Sequence, residues 1–133
     1  PTLEGRCVGL LVDEGSDAKR VSAVRRAVEA EGAQLKVVAP KIGGVALSDG
    51  THLPADGALM GTPSVLFDAV ALVLTDAAGA ALAEEAAAVD FVRDAFGHLK
   101  AIAHDDGAAT LLAKAAIEPD AGVVRLGAAK AFV

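Results

Sequence analysis

The stretch Cys7-Val-Gly-Leu-Leu-Val12 decides the fold of this protein, because it is an unbroken apolar run. A run without the alternation of a half-exposed strand indicates a strand buried on both faces of a parallel sheet. Ser16 or Asp17 can cap the helix that follows, and a second apolar strand is expected at residues 35–39. This β-α-β pattern predicts two parallel neighbouring strands joined by a right-handed crossover.

The segment between these two strands has the pattern of an amphipathic helix. Val21, Val24 and Val28 recur at helical spacing, which places them on one face. Gly32 follows as the residue expected just beyond the helix end, where glycine is favoured.

Three later apolar runs predict further strands, and the segments between them predict helices. Strands are expected at residues 69–74, 100–103 and 122–126, and helices at 80–96 and 105–114. Within the first of these helices, four side chains are predicted to share one face: Leu82, Val89, Val92 and Phe96. The alternation predicts a single α/β domain over residues 1–133, with a doubly wound sheet of about five mostly parallel strands.

Residues 42–53 interrupt this alternation. Asp49-Gly50 is the signal of a two-residue type I′ turn between short apolar runs, so we expect a small β-hairpin that projects from the main sheet. Beyond it, Thr62 and Pro63 predict a short helix with Thr62 as its cap and Pro63 at its first position.

Composition narrows the class of protein. The 133 residues are 53% hydrophobic and 23% charged, which is typical of a folded domain with a sizeable core. The net charge of −6 argues against nucleic acid and anionic membranes as partners, since phosphate binding needs clustered Lys and Arg. No apolar run approaches the ~18 residues of a membrane span. One cysteine permits no internal disulfide and suits a reducing compartment, so we expect a cytoplasmic location.

Candidate metal ligands and nucleophiles are few. His104-Asp105-Asp106 offers three potential ligands on one turn, but adjacent side chains splay apart, and we expect the two aspartates to act as helix N-caps. His52 lies in the predicted hairpin and His98 at a helix end, and neither has a visible partner. Cys7 starts an apolar strand, so we expect it to pack in the core as a small hydrophobe.

The loops after the predicted strands do not have the pattern of a nucleotide site. Residues 12–17 contain three carboxylates, which would repel a phosphate, and residues 76–82 contain one glycine and no G-x-G-x-x-G. Tyr and Trp are absent, although flavin sites often stack an aromatic ring on the cofactor. FMN and dinucleotide cofactors are therefore not expected.

The segment 98–112 resembles a nucleophile elbow, in which a strand, a tight turn and a helix present a Ser or Cys. Here Ala103 is expected at the nucleophile position and His104 follows it. Covalent catalysis requires a nucleophile within hydrogen-bond reach of a base. The sequence therefore predicts a degenerate elbow, with no catalytic, cofactor-binding or metal-binding residues.

Several long stretches resemble the C-terminal domain of large-subunit monofunctional haem catalases. These are Gly5-Arg-Cys-Val-Gly-Leu-Leu-Val12, Lys36-Val-Val-Ala-Pro40, Asp49-Gly-Thr-His-Leu-Pro-Ala-Asp-Gly57, Pro63-Ser-Val-Leu-Phe-Asp-Ala-Val70 and His98-Leu-Lys-Ala-Ile-Ala103. The resemblance covers essentially the whole chain in order. It implies a flavodoxin-like, three-layer sandwich that is also similar, more distantly, to the type 1 glutamine amidotransferase and DJ-1/PfpI class.

The DJ-1/PfpI resemblance implies two functional positions. Members of that class carry a catalytic cysteine at the elbow, which falls on Ala103 here, and an acidic residue on the first helix, which falls near Arg20. Both departures from the DJ-1/PfpI pattern imply that the catalytic function of that class has been lost. The catalase resemblance implies a parent enzyme, a tetrameric haem protein that dismutates hydrogen peroxide, but the tyrosinate that holds catalase haem has no counterpart in this tyrosine-free chain.

The resemblance implies an accessory domain excised from a larger catalase. Its expected partners are the catalase haem core and neighbouring subunits, whose tetramer it would stabilise, and unfolded client proteins if it has chaperone-like activity. The alternative is a stand-alone hydrolase, glyoxalase or amidase of the DJ-1/PfpI class, although a fold does not determine function.

Overall fold

The computed structural model describes residues 5–97, 101–115 and 123–125. In chain order its elements are β1 (Cys7–Val12), α1 (Ala18–Ala30), β2 (Gln34–Ala39), β3 (Val45–Ala46), β4 (His52–Leu53), β5 (Gly57–Ala58), β6 (Ala69–Val73), α2 (Asp76–Leu82), α3 (Ala86–Gly97), β7 (Ala101–His104), α4 (Ala109–Lys114) and β8 (Val123–Arg125). Short 3-10 turns cover Leu59–Gly61, Ser64–Leu66 and Asp106–Ala108.

The main sheet confirms the predicted α/β fold. Its strand order is β5-β2-β1-β6-β7-β8, and every neighbouring pair is parallel. The five longer strands are the five predicted from apolar runs, and their order is that of a flavodoxin-like sheet. The two-residue strand β5, which pairs with the end of β2, was not predicted because so short a segment carries no periodicity.

The sheet separates two apolar cores. On β1, Val8, Leu10 and Val12 face the core shared with α1, whereas Leu11 faces the core shared with α2, α3 and α4. Each of these four side chains is fully buried. Burial on both faces explains why β1 reads as an unbroken apolar run.

Helix α1 matches its predicted signals. Asp17 is the N-cap, and its carboxylate accepts the backbone N–H of Arg20 at 3.1 Å. Gly32 has a φ of +77°, the left-handed conformation expected just beyond the helix end. The apolar face of Val21, Val24 and Val28 is buried, as predicted.

The predicted helix over residues 80–96 is wrong in its extent. The chain forms two helices, α2 and α3, separated by a turn at residues 83–85. No Gly or Pro marks this break in an alanine-rich sequence, so only packing decides it. Phe91 is buried on α3, whereas Phe96, predicted to lie on the buried face, is 38% exposed. Within the residues that the structure describes, no helix has the length and apolar character to cross a membrane.

The predicted hairpin is confirmed, but its turn is longer than expected. β3 and β4 pair antiparallel, with Val45 opposite Leu53. The Gly50 N–H donates to the Leu47 carbonyl at 2.9 Å, the Leu47 N–H donates to the Thr51 carbonyl at 2.8 Å, and Gly50 has a φ of +84°. This is a three-residue loop closed by a left-handed glycine, another common hairpin solution, and not a two-residue type I′ turn.

The expected helix at Thr62-Pro63 is also different. A 3-10 turn covers Ser64–Leu66, and Pro63, not Thr62, is its N-cap residue. The Thr62 hydroxyl donates to the Ala58 carbonyl at 2.7 Å instead. This contact between residues four apart in the chain holds the segment against the end of β5.

Candidate functional site

The carboxyl ends of four neighbouring parallel strands meet at one edge of the sheet. The strands β2, β1, β6 and β7 are followed there by Pro40, Asp13, Leu74 and Asp105. In doubly wound sheets this is the edge at which ligands bind. It is therefore the candidate functional site.

The loop after β1 uses its own amide groups internally. The Asp13 N–H donates to Ser16 Oγ at 3.1 Å, and the Glu14 N–H donates to Asp13 Oδ1 at 2.8 Å. The Gly15 N–H donates to the Ala46 carbonyl at 2.8 Å, and the Ser16 N–H to the Asp13 carbonyl at 3.1 Å. A phosphate loop needs amides that point at the ligand, whereas these four amides donate within the protein.

The hairpin lies against this loop and the start of α1. Glu14 Oε1 accepts the Ala46 N–H at 3.2 Å, and the Ser16 carbonyl accepts the Ser48 N–H at 2.9 Å. Ser48 Oγ in turn accepts the Ala18 N–H, at the first residue of α1, at 2.9 Å. The hairpin therefore binds the amino terminus of α1, a position that binds the ligand in other proteins of this architecture.

Ser16 is fully buried and ties two strand ends together. Its Oγ lies 2.5 Å from the Val73 carbonyl and 2.9 Å from the Asp13 carbonyl, and it accepts the Asp13 N–H. The sequence suggested Ser16 only as a helix cap. Its hydroxyl is committed to the backbone, which gives it a structural role at the edge of the sheet.

The strand-to-helix turn lies further along the chain than predicted. Ala103 sits inside β7 and is fully buried in the core shared with α1, so its placement at the elbow turn is wrong. The strand continues to His104, and Asp105 is the residue between the strand and the 3-10 turn Asp106–Ala108. The side chain at the elbow is therefore a carboxyl group, a role that sequence reasoning missed because the strand end was placed too early.

Asp105 is 6% exposed. It stands at the N-cap position of the 3-10 turn, but its side chain makes no capping hydrogen bond, contrary to the prediction. Its Oδ2 accepts the Leu74 N–H at 3.0 Å, and its own N–H donates to the Leu72 carbonyl at 3.1 Å, so it links the ends of β6 and β7. Oδ1 is buried and has no hydrogen-bond partner among the described residues. Burial raises the pKa of this carboxyl group, against smaller opposing effects from the Leu74 N–H and the charge of Arg20.

The electrostatic effect of Arg20 on Asp105 places the first helix beside the elbow. Arg20 lies in the first turn of α1 and is exposed. The position near which the DJ-1/PfpI resemblance implies an acid thus holds a cation, whose charge lowers the pKa of the carboxyl group at the elbow. This effect is smaller than that of burial, which raises the pKa of the Asp105 carboxyl group.

The two histidines in the described part of the chain belong to no cluster that could hold a metal ion. His104 Nδ1 lies 3.0 Å from the Asp105 carbonyl, a contact in which a protonated Nδ1 donates to that oxygen. His52 is exposed on the hairpin, and His98 lies outside the described residues. Over residues 5–97, 101–115 and 123–125, no group of three His, Cys, Asp or Glu side chains could hold a metal ion.

Cys7 lies at the amino end of β1, away from the candidate site. It is half-buried and packs against the core, which agrees with the predicted hydrophobic role. Its N–H donates to Asp68 Oδ2 at 2.8 Å, and Arg6 pairs with Asp68 at 3.5 Å. Burial raises the pKa of the Cys7 thiol by more than the charge of Lys36 lowers it. Cys7 is therefore a poor nucleophile.

A cleft of about 210 Å³ opens beside the candidate site. Asp13 and Glu85 are its charged lining residues, and the remainder of its wall is apolar: Pro40, Leu59, Met60, Ala81, Leu82 and Ala87. Burial is the main cause of a raised pKa for Asp13. The wall of this cleft is therefore mainly apolar, with two carboxyl groups in its lining.

Comparison with known proteins assigns the family. Residues 4–133 match the model of the C-terminal domain found in long catalases. The chain belongs to this family. The catalase C-terminal domain therefore accounts for nearly the whole sequence, as its resemblance implied.

Two full-length relatives bear out this assignment. Catalase C of Rhizobium meliloti is 42% identical over 125 residues, which cover 92% of this chain and 18% of the relative. Catalase HPII of Pseudomonas aeruginosa is 33% identical over 126 residues, covering 95% and 18% respectively. The catalase C-terminal domain thus spans less than one fifth of these relatives.

Solved structures confirm the fold of the catalase C-terminal domain. A mutant of a DJ-1 superfamily protein from Salmonella typhimurium superposes with a TM-score of 0.81, over 96% of this chain and 85% of that one, at 18% identity. DJ-1beta of Drosophila melanogaster gives 0.80 over 96% and 86%, also at 18% identity. The resemblance to the DJ-1/PfpI class is therefore confirmed at the level of fold.

Proposed function

We propose that this chain is a non-catalytic accessory module of a long catalase, which packs on the haem-bearing core and stabilises the subunit and its tetramer. The observation that carries the proposal is the match to the catalase C-terminal family over residues 4–133. Relatives that share this domain, such as Catalase C of Rhizobium meliloti, are named as catalases.

The geometry of the elbow supports the non-catalytic part of this proposal. Asp105 occupies the turn, and one of its oxygens accepts a backbone N–H from Leu74. Ser16, the buried hydroxyl of the neighbouring loop, is bound to backbone carbonyls. The Ser16 hydroxyl and one oxygen of Asp105 are thus engaged with the backbone, which supports a structural role for both side chains.

The haem of the proposed parent does not fit the residues of this chain. Catalase iron is held by a tyrosinate, and the sequence has no tyrosine. Peroxide chemistry is therefore assigned to the remainder of the parent polypeptide, and this domain contributes packing to it.

The test compares the full-length parent holoenzyme with a version that lacks this domain. We expect the deletion to lower the temperature of irreversible inactivation and to shift the tetramer toward smaller species in analytical ultracentrifugation. Peroxide turnover per haem in the surviving tetramer should be close to that of the parent. A deletion that leaves both thermal inactivation and assembly unchanged would contradict the proposal.

We propose chaperone-like holding of unfolded proteins as a second activity. It is supported by large apolar side chains that are exposed on this chain, among them Met60 and Leu66. In the test, the chain is mixed with a heat-labile enzyme and light scattering is followed on heating. Suppression of aggregation is expected, and unchanged scattering at several-fold excess of the chain removes this second activity.

A further inference from the structure

Two of the large apolar side chains exposed to solvent lie close together in the chain, on the segment between β5 and β6. Met60 is 89% exposed and Leu66 is 63% exposed. Large apolar side chains that gather at one place on a surface mark interaction sites more often than scattered ones. The 3-10 turns that carry them both pack against α3, so the segment is held in place.

This segment and α3 together form a groove, which we call the 59–66 groove. One part is a cleft of about 350 Å³ between the segment and α3, lined by residues that include Met60, Pro63 and Ala87. A second depression of about 350 Å³ lies on the other side of Thr62 and includes Leu66. Met60 also borders the 210 Å³ cleft beside the sheet edge, so this cleft and the cleft beside α3 share part of their apolar wall.

The rim of the 59–66 groove is mainly acidic. Asp90 and Asp94, four residues apart on α3, line one side, and both are exposed. Glu85 and Asp56 border the two neighbouring depressions, where Lys36 is the cationic lining residue. An apolar floor with an acidic rim is complementary to an apolar surface that carries Arg or Lys at its edges.

We propose that the 59–66 groove is the surface by which this domain docks on the catalase core of its own polypeptide, through an apolar patch rimmed by basic side chains. The inference rests on the proposed function and names the surface that performs it. The full-length relatives are more than five times longer than the matched region, which supplies a partner that is always present at high effective concentration.

The experiment measures amide hydrogen exchange in the full-length holoenzyme. The variants are Met60→Glu and Leu66→Glu, and the matched control is Ile42→Glu, because Ile42 is 61% exposed and lies outside the groove lining. Burying a large apolar side chain is worth roughly 1.5–3 kcal/mol, so each groove variant should weaken docking at least about tenfold. Exchange of the groove amides should accelerate by a similar factor, while the control stays at the parental rate.

The amides of β1 and β6 serve as an internal measure of folding. Both strands are central in the sheet and are not part of the groove, so unchanged exchange there shows that the variant domain is folded. If a groove variant unfolds, Met60→Ala and Leu66→Ala provide smaller perturbations of the same surface, with smaller but measurable acceleration expected.

A separate pair of variants tests the charge of the rim. Asp90→Lys and Asp94→Lys should accelerate exchange of the groove amides, and the effect should shrink at high salt because exposed charges are screened. Equal exchange in these variants and in the parent at low salt would contradict a basic partner surface.

Three outcomes would overturn the proposal. Groove amides that exchange at one rate in the parent, the groove variants and the control would show that the core does not cover this surface. Cross-links from the groove to a second copy of the domain would assign it to self-association. Protection that arises only when an unfolded protein is added would assign it to client binding. Loss of stability on domain deletion is measured separately, so the proposed function can stand when this surface is wrong.

Discussion

Asp105 places a carboxyl group in the interior, where an ionised group is poorly solvated. One oxygen accepts the Leu74 N–H, whereas the other is buried without a partner in the described part of the chain. Burial disfavours the charged form, and this effect outweighs the Leu74 N–H and Arg20, which favour it. The pKa of Asp105 is therefore raised in the folded protein.

This raised pKa makes stability depend on pH. The folded state holds the Asp105 proton more tightly than the unfolded state, whose pKa is about 3.9. The contribution of this group to the free energy of unfolding is therefore full below about pH 4 and is lost as pH rises through the folded pKa. The direction is opposite to that of a carboxylate stabilised by a salt bridge.

We predict that Asp105→Asn flattens this pH dependence. The amide oxygen can still accept the Leu74 N–H, but the side chain no longer titrates. The free energy of unfolding, measured by chemical denaturation from pH 4 to pH 8, should shift in favour of the variant as pH rises. Parallel curves for the variant and the parent would contradict a raised pKa.

Gly9 is a second residue with a decisive effect, because the space beside it leaves no room for a side chain. A Cβ at this position would lie 2.5 Å from the Phe67 ring, which is 5% exposed and packs 6.3 Å from the ring of Phe91. Gly9→Ala should therefore lower the free energy of unfolding by about 1–3 kcal/mol, as overpacking of a core does. Gly43→Ala is the control, because a Cβ there has open space. Equal stability of the two variants would contradict the packing argument.

Among the elements, the hairpin β3–β4 has the largest influence on the candidate site. It supplies two apolar side chains to the core shared with α1, Val45 and Leu47, and hydrogen bonds to the loop after β1. It also supplies Ser48, whose hydroxyl accepts an N–H at the start of α1. An element that the sequence predicted to project from the sheet thus covers the region where related architectures bind ligands.

We predict that Ser48→Ala destabilises the start of α1. Loss of the acceptor for the Ala18 N–H should lower the free energy of unfolding by about 0.5–1 kcal/mol, as loss of other helix caps does. Ser48→Thr retains the hydroxyl and should restore most of the loss. Denaturant unfolding measures both variants, and equal loss in the two would show that the hydroxyl is not responsible.

The elements differ in how far the sequence predicts them. Strands β1 and β6 are long apolar runs, and burial on both faces makes them recognisable from the sequence, whereas β2 is continuously buried only over its last three residues. Helices α2 and α3 were predicted as one, because alanine suits the interior of a helix and marks neither its beginning nor its end. Phe96 was predicted on the buried face but is 38% exposed for the same reason, since the rotational phase of α3 is fixed by packing.

At the scale of the whole molecule, the parallel sheet divides the interior into two apolar cores, one on each of its faces. β1 and β6 are neighbours in the middle of the sheet, and each has strands on both sides. The hairpin forms a separate two-stranded sheet, and β5 contributes two residues at one end of the main sheet. The central strands β1 and β6 therefore have more hydrogen-bonded neighbours to lose on local opening than β3, β4 and β5 do.

We predict that amide exchange follows this arrangement. The amides of β1 and β6 should exchange only through global unfolding, whereas those of β3, β4 and β5 should exchange faster, through local opening. Native-state hydrogen exchange at increasing denaturant measures both classes. Identical opening free energies in the hairpin and in β1 would contradict this division.

The sequence by itself determined the α/β architecture, the positions of its main strands in the chain and the catalase C-terminal family. These features follow from apolar runs, helical spacing and long stretches of matching residues, all of which are local in the chain. Only the tertiary structure decided that Asp105, not Ala103, occupies the elbow turn and that the hairpin covers the start of α1. It also brought Met60 to the cleft beside α3 and Leu66 to the neighbouring depression. The reason is physical: burial, the pKa of a carboxyl group and the shape of a groove depend on contacts between residues far apart in the chain.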